Sequence, residues 1–221
     1  MTPTTLPLLS GGLDSCVMLA HLLDAGHVIR TAIAFDYGQS HRIELRRATL
    51  IAERLGITLY TQRLDDYGAM IHGECALTGH GAIPDGHYTD ETMKKTIVPM
   101  RNPMMLIMAA ALAMQRGINS IAIAVHAGDH TIYPDCRPEF IGAMGQAIYH
   151  ASDGRIALLA PFLNMTKSEI VARGHQLGAP MHLSWSCYKG GKKHCGTCGT
   201  CVERREAFNL AGINDETEYE A

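Results

Sequence analysis

The chain has 221 residues, 47% of them hydrophobic and 19% charged, with a formal net charge of -3. That balance suits one globular domain able to bury a sizeable core, and the near-neutral charge argues against a broad non-specific nucleic-acid surface. No apolar run approaches the roughly 18 residues of a membrane span, and the start MTPTTLPLLSGG lacks the basic residues and long apolar centre of a secretion signal, so a cytoplasmic protein acting on small soluble molecules is expected.

In chain order, the apolar run Leu6 to Leu9 predicts a short strand ending in Ser-Gly-Gly. Asp14 to Ala25 carries Val17, Leu19, Ala20, Leu22 and Leu23 and predicts a helix. Val28 to Phe35 is a second strand, Ser40 to Leu55 a helix carrying alternating Arg and Glu, and Ile57 to Gln62 a third strand. From Leu64 to Val98 the periodicity gives way to Gly, His, Asp and Pro over a length unusual for a connection, which marks a functional flap or loop. Then follow a helix over Pro103 to Gln115, a strand over Ile121 to Val125, a helix near Arg137 to His150, a strand over Ile156 to Leu159 and a helix over Lys167 to Leu177. A cysteine-bearing segment from His182 and a short helix, Val202 to Leu210, close the chain. Strands alternating with helices predict an α/β fold, a doubly wound and mainly parallel Rossmann-like sheet over residues 1–181, with a C-terminal zinc knuckle over 182–221. Pro7 has no N–H to give to a ladder and is expected at an edge or at the start of its strand.

The first strand-to-helix junction, LSGGLDSC from Leu9 to Cys16, places two glycines between hydroxyl groups. Gly11 and Gly12 let the backbone turn sharply and bring N–H groups up to a ligand without a Cβ in the way. At a helix start those N–H groups and the helix dipole favour an anion. Ser10 and Ser15 add hydroxyl donors, and Asp14 suits the magnesium that accompanies a polyphosphate. The lysine of the Walker loop is missing, so the junction is not built for transfer of a terminal phosphoryl group.

Seven cysteines are present, and Cys187, Cys195, Cys198 and Cys201 are clustered near the C-terminus. In a reducing compartment this spacing, C-x7-C-x2-C-x2-C over a Gly-rich loop, favours metal over disulfides and suffices for one tetrahedral zinc. Four protein ligands leave no open position, so the role expected is structural. An iron–sulfur cluster suits the same ligand type, and His194 is an alternative ligand hindered by its adjacency to Cys195. His72, Cys75, His80 and His87 match no familiar metal frame and are expected to be substrate-side or solvent-facing groups.

The S-G-G-x-D-S pattern resembles the pyrophosphate loop of the ATP pyrophosphatase superfamily, whose fold is the adenine nucleotide alpha hydrolase-like one. Four further stretches narrow the resemblance: FDYGQSHRIEL at Phe35 to Leu45, VPMRNPMML at Val98 to Leu106, GDHTIYPDCRPEF at Gly128 to Phe140 and TKSEI at Thr166 to Ile170. With the closing SWSCYKGGKKHCGTCGTCVERREAF, they resemble the 7-cyano-7-deazaguanine synthase family from Leu9 to about Phe208. The resemblance implies an ATP-dependent carbon–nitrogen ligase of queuosine precursor biosynthesis, converting 7-carboxy-7-deazaguanine and ammonia to the nitrile through adenylate and amide intermediates. It implies ATP, Mg2+ and Zn2+ as cofactors and a homodimer, without membrane or direct nucleic-acid contact.

On that resemblance, Leu9, Ser10, Gly11, Gly12, Leu13, Asp14 and Ser15 hold phosphate and magnesium, with Phe35, Tyr37, Gly38 and Gln39 beside the adenosine. Arg101 and Lys167 join Asp14 as catalytic groups facing phosphate or carboxylate oxygens. Arg101, Asn102, Tyr133, Asp135 and Arg137 face the deazaguanine, where the Asp135 carboxylate can accept from a ring N–H and an exocyclic amine. Taken singly, Arg101 also suits a surface ion pair and Asp135 a helix cap. Cys136 lies between opposing charges and is expected to be a pocket residue rather than a nucleophile. Met100 departs from the small or polar residue usual in the family. The rival readings are a ligase of the same superfamily acting on another acceptor in DNA modification or antiviral defence, a tRNA thiolase relying on Cys136, and a zinc protein binding nucleic acid through Lys189, Lys192 and Lys193.

Overall fold

A computed structural model describes residues 2–39, 42–73, 75–78, 82–87, 96–129 and 133–220. The chain runs β1 (Thr5–Pro7), α1 (Leu13–Asp24), β2 (Thr31–Asp36), α2 (Ile43–Arg54), β3 (Thr58–Arg63) and α3 (Asp65–Met70). It continues with α4 (Arg101–Gln115), β4 (Ser120–Ala122), α5 (Pro138–Ala151), β5 (Ala157–Leu159), α6 (Lys167–Gln176) and α7 (Gly199–Ala211). The predicted elements are all present, with shifts at their ends. The stretch from Leu64 also contains α3, a six-residue helix whose lone fully buried side chain, Tyr67, leaves too little apolar pattern to announce it. Among the described residues, no helix is long and apolar enough to cross a membrane.

Every strand pairing is parallel: β2 with β3, β1 with β4, and β4 with β5. Bridges at Thr4–Val28 and Leu8–Ile33 join β1 to β2, giving the order β3-β2-β1-β4-β5. This places β1 in the centre of the sheet, not at an edge, which corrects the expectation from Pro7. The backbone shows how the proline is accommodated. Thr5 and Leu9 donate to Val28 and Ile33 of the β2 side at 3.1 and 2.8 Å, whereas Leu8 donates to Ala122 on the β4 side. Odd positions therefore face β2, and the missing N–H of Pro7 interrupts that ladder into two bridges while the β4 ladder stays intact.

Alternation along the strands splits the core in two. Leu6, Leu8, Ile33, Phe35 and Ile121 point to the face covered by α4 and α5, and Ala32 and Ala122 to the face covered by α1, α2, α6 and α7. Helix α1 is buried on almost every side, as its nearly continuous apolar sequence requires. The order reverses between β1, whose chain continues into α1 on one face, and β4, reached through α4 on the other. Ligands of open α/β sheets bind at such a switch point, beyond the carboxyl ends of the strands.

Met100 caps α4 in the left-handed region, at φ 55 and ψ 27, with its side chain 68% exposed. The bulky residue therefore neither fills the site nor packs beneath it. A non-glycine residue here carries backbone strain of about 1–2 kcal/mol. Met100→Gly is expected to raise the unfolding free energy by about 1 kcal/mol after the greater chain entropy of glycine is subtracted, measured by urea denaturation.

Candidate active site and cysteine cluster

Gly12 caps α1 with no side chain bonded to the helix start, and Cys16 is the first residue whose N–H closes back onto Gly12, at 3.1 Å. The N–H groups of Leu13, Asp14 and Ser15 are left facing outward from the helix, as helix geometry dictates. Around them the Ser10 and Ser15 hydroxyls lie 3.1 Å apart, the Gly12 N–H donates to Ser10 Oγ at 3.2 Å, and Ser15 Oγ donates to the Gly12 carbonyl at 3.1 Å. Gly11, at φ +91, is pressed onto α2 so tightly that a Cβ would lie 2.1 Å from the Glu44 carbonyl oxygen. Its own carbonyl accepts from the Trp185 N–H at 2.9 Å, so α2 and the C-terminal segment clamp the loop from opposite ends. Open N–H groups and two hydroxyls gathered at one helix start suit an anion.

Asp14 stands at the edge of this loop. Lys167 Nζ lies 3.4 Å and His126 Nε2 3.8 Å from its Oδ2, and Lys167 also pairs with Glu203 Oε2 at 2.7 Å. Burial alone would raise the Asp14 pKa, but Lys167 and His126 outweigh it, so the carboxyl titrates below its ordinary value and stays charged. Among the described residues, its other oxygen, Oδ1, is buried without a hydrogen-bond partner. A carboxylate with one oxygen engaged and one left open suits a hard cation beside the loop. Lys167 is placed by a capping box: Thr166 accepts from the Glu169 N–H, and Glu169 Oε2 accepts from the Thr166 N–H at 2.7 Å. A lysine in the first helical turn opposes the helix dipole, which the two carboxylates offset.

One cavity of about 240 Å³ joins these groups to the start of α4. Of the residues expected at the site, Leu9, Ser10, Gly12, Leu13, Asp14, Ser15, Phe35, Tyr37 and Gln39 line it, together with Arg101, Asn102, Tyr133 and Lys167. Gly11 lies behind the loop, and Gly38 is exposed at the turn after β2, at φ +84. Gln39 spends its amide on the backbone, accepting from the Tyr37 N–H and donating to the Phe35 carbonyl, and so fixes the end of β2. Arg101 hydrogen-bonds the Tyr37 phenol, whose pKa burial raises and the guanidinium lowers, with burial prevailing.

Asp135 and Arg137 lie outside the cavity lining. Asp135 Oδ2 accepts the Asn102 N–H at 3.1 Å and its carbonyl accepts Asn102 Nδ2 at 3.0 Å, so it caps α4 from across the chain and orients Asn102. Arg137 is exposed at the start of α5. Cys136 is buried, lines the cavity and accepts from Asn102 Nδ2 at 3.3 Å, as a pocket residue would. The cavity also takes Trp185, Ser186, Tyr188, Thr200 and Glu203 from the C-terminal segment, and Glu44 from α2. Sequence reasoning missed these and His126. The available signal for His126 was its place directly after a parallel strand beside β1.

Cys187, Cys195, Cys198 and Cys201 come together with all sulfurs within 4.8 Å of one another, and the closest pairs are 3.4 to 4.0 Å apart. Four thiolates on one tetrahedral ion at about 2.3 Å would stand about 3.8 Å apart, whereas a multi-iron cluster needs wider spacing. Backbone N–H groups of Cys195, Thr197 and Cys198 point at sulfur at 3.3 to 3.4 Å, the donors a thiolate requires. His194 is not part of the cluster: its Nε2 accepts from the Ser186 N–H at 3.0 Å and its ring stacks on Trp185. Burial presses its pKa down to about 4, keeping the ring neutral as an acceptor. His72 and Cys75 are not among these ligands, His87 pairs with Glu206 at 3.3 Å, and His80 lies outside the described residues.

The cluster also anchors the long segment after β3. Asp85 accepts from Lys189 Nζ and, at 2.6 Å, from Thr197 Oγ1, and the Gly86 N–H donates to the Thr197 carbonyl at 2.7 Å. The basic loop thus holds the segment rather than standing open on every side. Lys193 pairs with Glu218 at 3.0 Å.

The fold resembles that of a U34-tRNA thiolase from Methanococcus maripaludis with its [4Fe-4S] cluster, at TM-score 0.53 and 18% identity over 99% of this chain and 74% of that one. It also resembles NMN synthetase from Francisella tularensis, at TM-score 0.52 and 16% identity over 96% of this chain and 78% of that one. At such identities the likeness concerns the fold alone. Sequence similarity is much closer to proteins named 7-cyano-7-deazaguanine synthase from Brucella canis and Brucella suis biovar 1, each 51% identical over 98% of this chain and 93% of its relative. Residues 4–212 match the family model described as queuosine biosynthesis protein QueC. With a match spanning the Leu9 to Ser15 loop, the α4 start and the cysteine cluster together, the chain belongs to the QueC family of queuosine biosynthesis proteins.

Proposed function

We propose that the chain is a 7-cyano-7-deazaguanine synthase, an ATP-dependent carbon–nitrogen ligase that converts 7-carboxy-7-deazaguanine and ammonia to the nitrile through adenylate and amide intermediates. The observation that carries this reading is the single cavity joining an anion cradle at α1, with Asp14 and Lys167, to the Arg101 and Asn102 start of α4. A carboxylate resists nucleophiles because of its charge, and adenylation removes the charge and installs a leaving group. Ammonia then displaces AMP to give the amide, and a second activation at the amide oxygen permits elimination to the nitrile.

In this reading Ser10, Ser15 and the open N–H groups of α1 receive the departing pyrophosphate, and Leu9, Phe35 and Tyr37 flank the adenosine. Asp14 holds Mg2+, which supplies charge neutralisation at the phosphates. Lys167, steered by Glu203, adds a second positive charge, and Arg101 aligns the acid with the α phosphorus. Asn102 and Tyr133 face the deazaguanine, and Asp135 holds Asn102 from behind the cavity lining. The cysteine cluster holds Zn2+ as a structural ion, with residues 1–181 the catalytic unit and 182–221 its knuckle. A cytoplasmic homodimer completes the proposal.

Pyrophosphate release followed by phosphorus NMR tests the role of the cradle. Release is expected only when the acid substrate is present, and Asp14→Asn is expected to slow it by about 10²–10³-fold. Equal release by the variant would remove Asp14 from the chemistry.

A further inference from the structure

We propose that His126 is a positioning residue for the reaction, holding one oxygen of Asp14 so that the other stays directed at magnesium. The proposal rests on the reading of Asp14 as the magnesium ligand. His126 follows β4 and is 1% exposed. Its Nδ1 accepts the Gly128 N–H at 3.1 Å, which leaves Nε2 as the ring nitrogen turned to Asp14. That nitrogen faces Asp14 Oδ2 at 3.8 Å. Gly128 packs against the ring so closely that a Cβ there would lie 2.9 Å from His126 Cε1.

The arrangement is asymmetric in a useful way. Among the described residues, Oδ2 of Asp14 is approached from two sides, by Lys167 of α6 at 3.4 Å and by His126 after β4 at 3.8 Å, whereas Oδ1 is buried without a hydrogen-bond partner. Lys167 is itself drawn towards Glu203 at 2.7 Å, so it cannot alone fix the carboxylate. A second group, the buried His126 ring in the segment after β4, stands 3.8 Å from the same oxygen, beyond hydrogen-bond length but close enough to limit its movement. Groups that orient a metal ligand without touching the metal commonly alter metal affinity by about 10–100-fold when removed.

The test is Mg2+-dependent ATP binding measured by calorimetry, alongside nitrile formation, in wild type, His126→Phe and His126→Gln. His126→Phe keeps a ring without the donor and is expected to raise the magnesium concentration for half-maximal ATP binding by about tenfold or more. The KM for the deazaguanine acid should stay near that of wild type. His126→Gln retains an N–H donor and should recover most of the loss, and this rescue would not follow from packing alone. An unchanged magnesium requirement in a folded His126→Phe protein overturns the proposal, as does a glutamine variant no better than phenylalanine. Should His126→Phe fail to fold, a glutamine variant with a wild-type magnesium requirement supports the donor role and one with a tenfold greater requirement opposes it. Wild type that binds magnesium and ATP but makes no nitrile would count against the proposed acceptor while leaving His126 standing.

Discussion

Arg204→Ala is expected to lower the unfolding free energy by about 3–5 kcal/mol. Arg204 is fully buried, and its guanidinium makes paired contacts with Asp215 at 3.1 to 3.3 Å, bonds Ser184 Oγ at 2.8 Å and reaches the Met181 carbonyl at 3.2 Å. It therefore ties α7, the C-terminal tail and the segment leading to Trp185 into one unit. Removing it strands Asp215, whose carboxyl burial pushes up and Arg204 pulls down, the net direction in the native protein being down. A carboxyl with a lowered folded pKa contributes stability above its unfolded value of about 3.9 and loses it as pH falls through the folded value. The difference between wild type and Arg204→Ala should thus be greatest at neutral pH and shrink in acid as Asp215 becomes protonated. Urea denaturation at several pH values reads both effects.

Removing the metal from the cysteine cluster should have a comparable consequence. The chain has one tryptophan, Trp185, which is 1% exposed, stacks on His194 at 4.1 Å and donates to the Cys187 carbonyl at 2.7 Å. Because the same residue bonds Gly11, loosening the cluster should release the phosphate loop as well as the knuckle. Wild type is expected to carry one zinc per chain. Chelation, or Cys198→Ser, should shift the tryptophan emission to longer wavelength, lower the unfolding midpoint and abolish nucleotide binding. Unchanged emission and midpoint in metal-free protein would show that the cluster folds without an ion.

The legible and illegible parts of the sequence separate along physical lines. Gly11 and Gly12 were legible as the sharp turn from β1 into α1, and Gly11 is held where no side chain fits. The four cysteines were legible because soft ligands cluster in sequence when they share an ion. Strands and helices were found because alternation and helical spacing survive in β2 and α4. Pro7 was misplaced because a missing donor matters only on the side its N–H would face, which local sequence does not reveal. His126 and Glu203 were missed because only contact with Asp14 or Lys167, more than 30 residues away in sequence, brings them to the site. Gln39 and Asp135 were singled out by pattern, whereas their bonds to backbone groups are visible only in the fold.

The most direct measurement is mass spectrometry of the deazaguanine after incubation of zinc-loaded protein with magnesium, ATP, 7-carboxy-7-deazaguanine and nitrogen-15 ammonium. The account predicts a product that has gained one labelled nitrogen and lost two waters relative to acid plus ammonia, formed only with ATP and not by Asp14→Asn. Labelled amide that never proceeds to nitrile, or acid left unchanged by a folded protein that binds ATP, would contradict it.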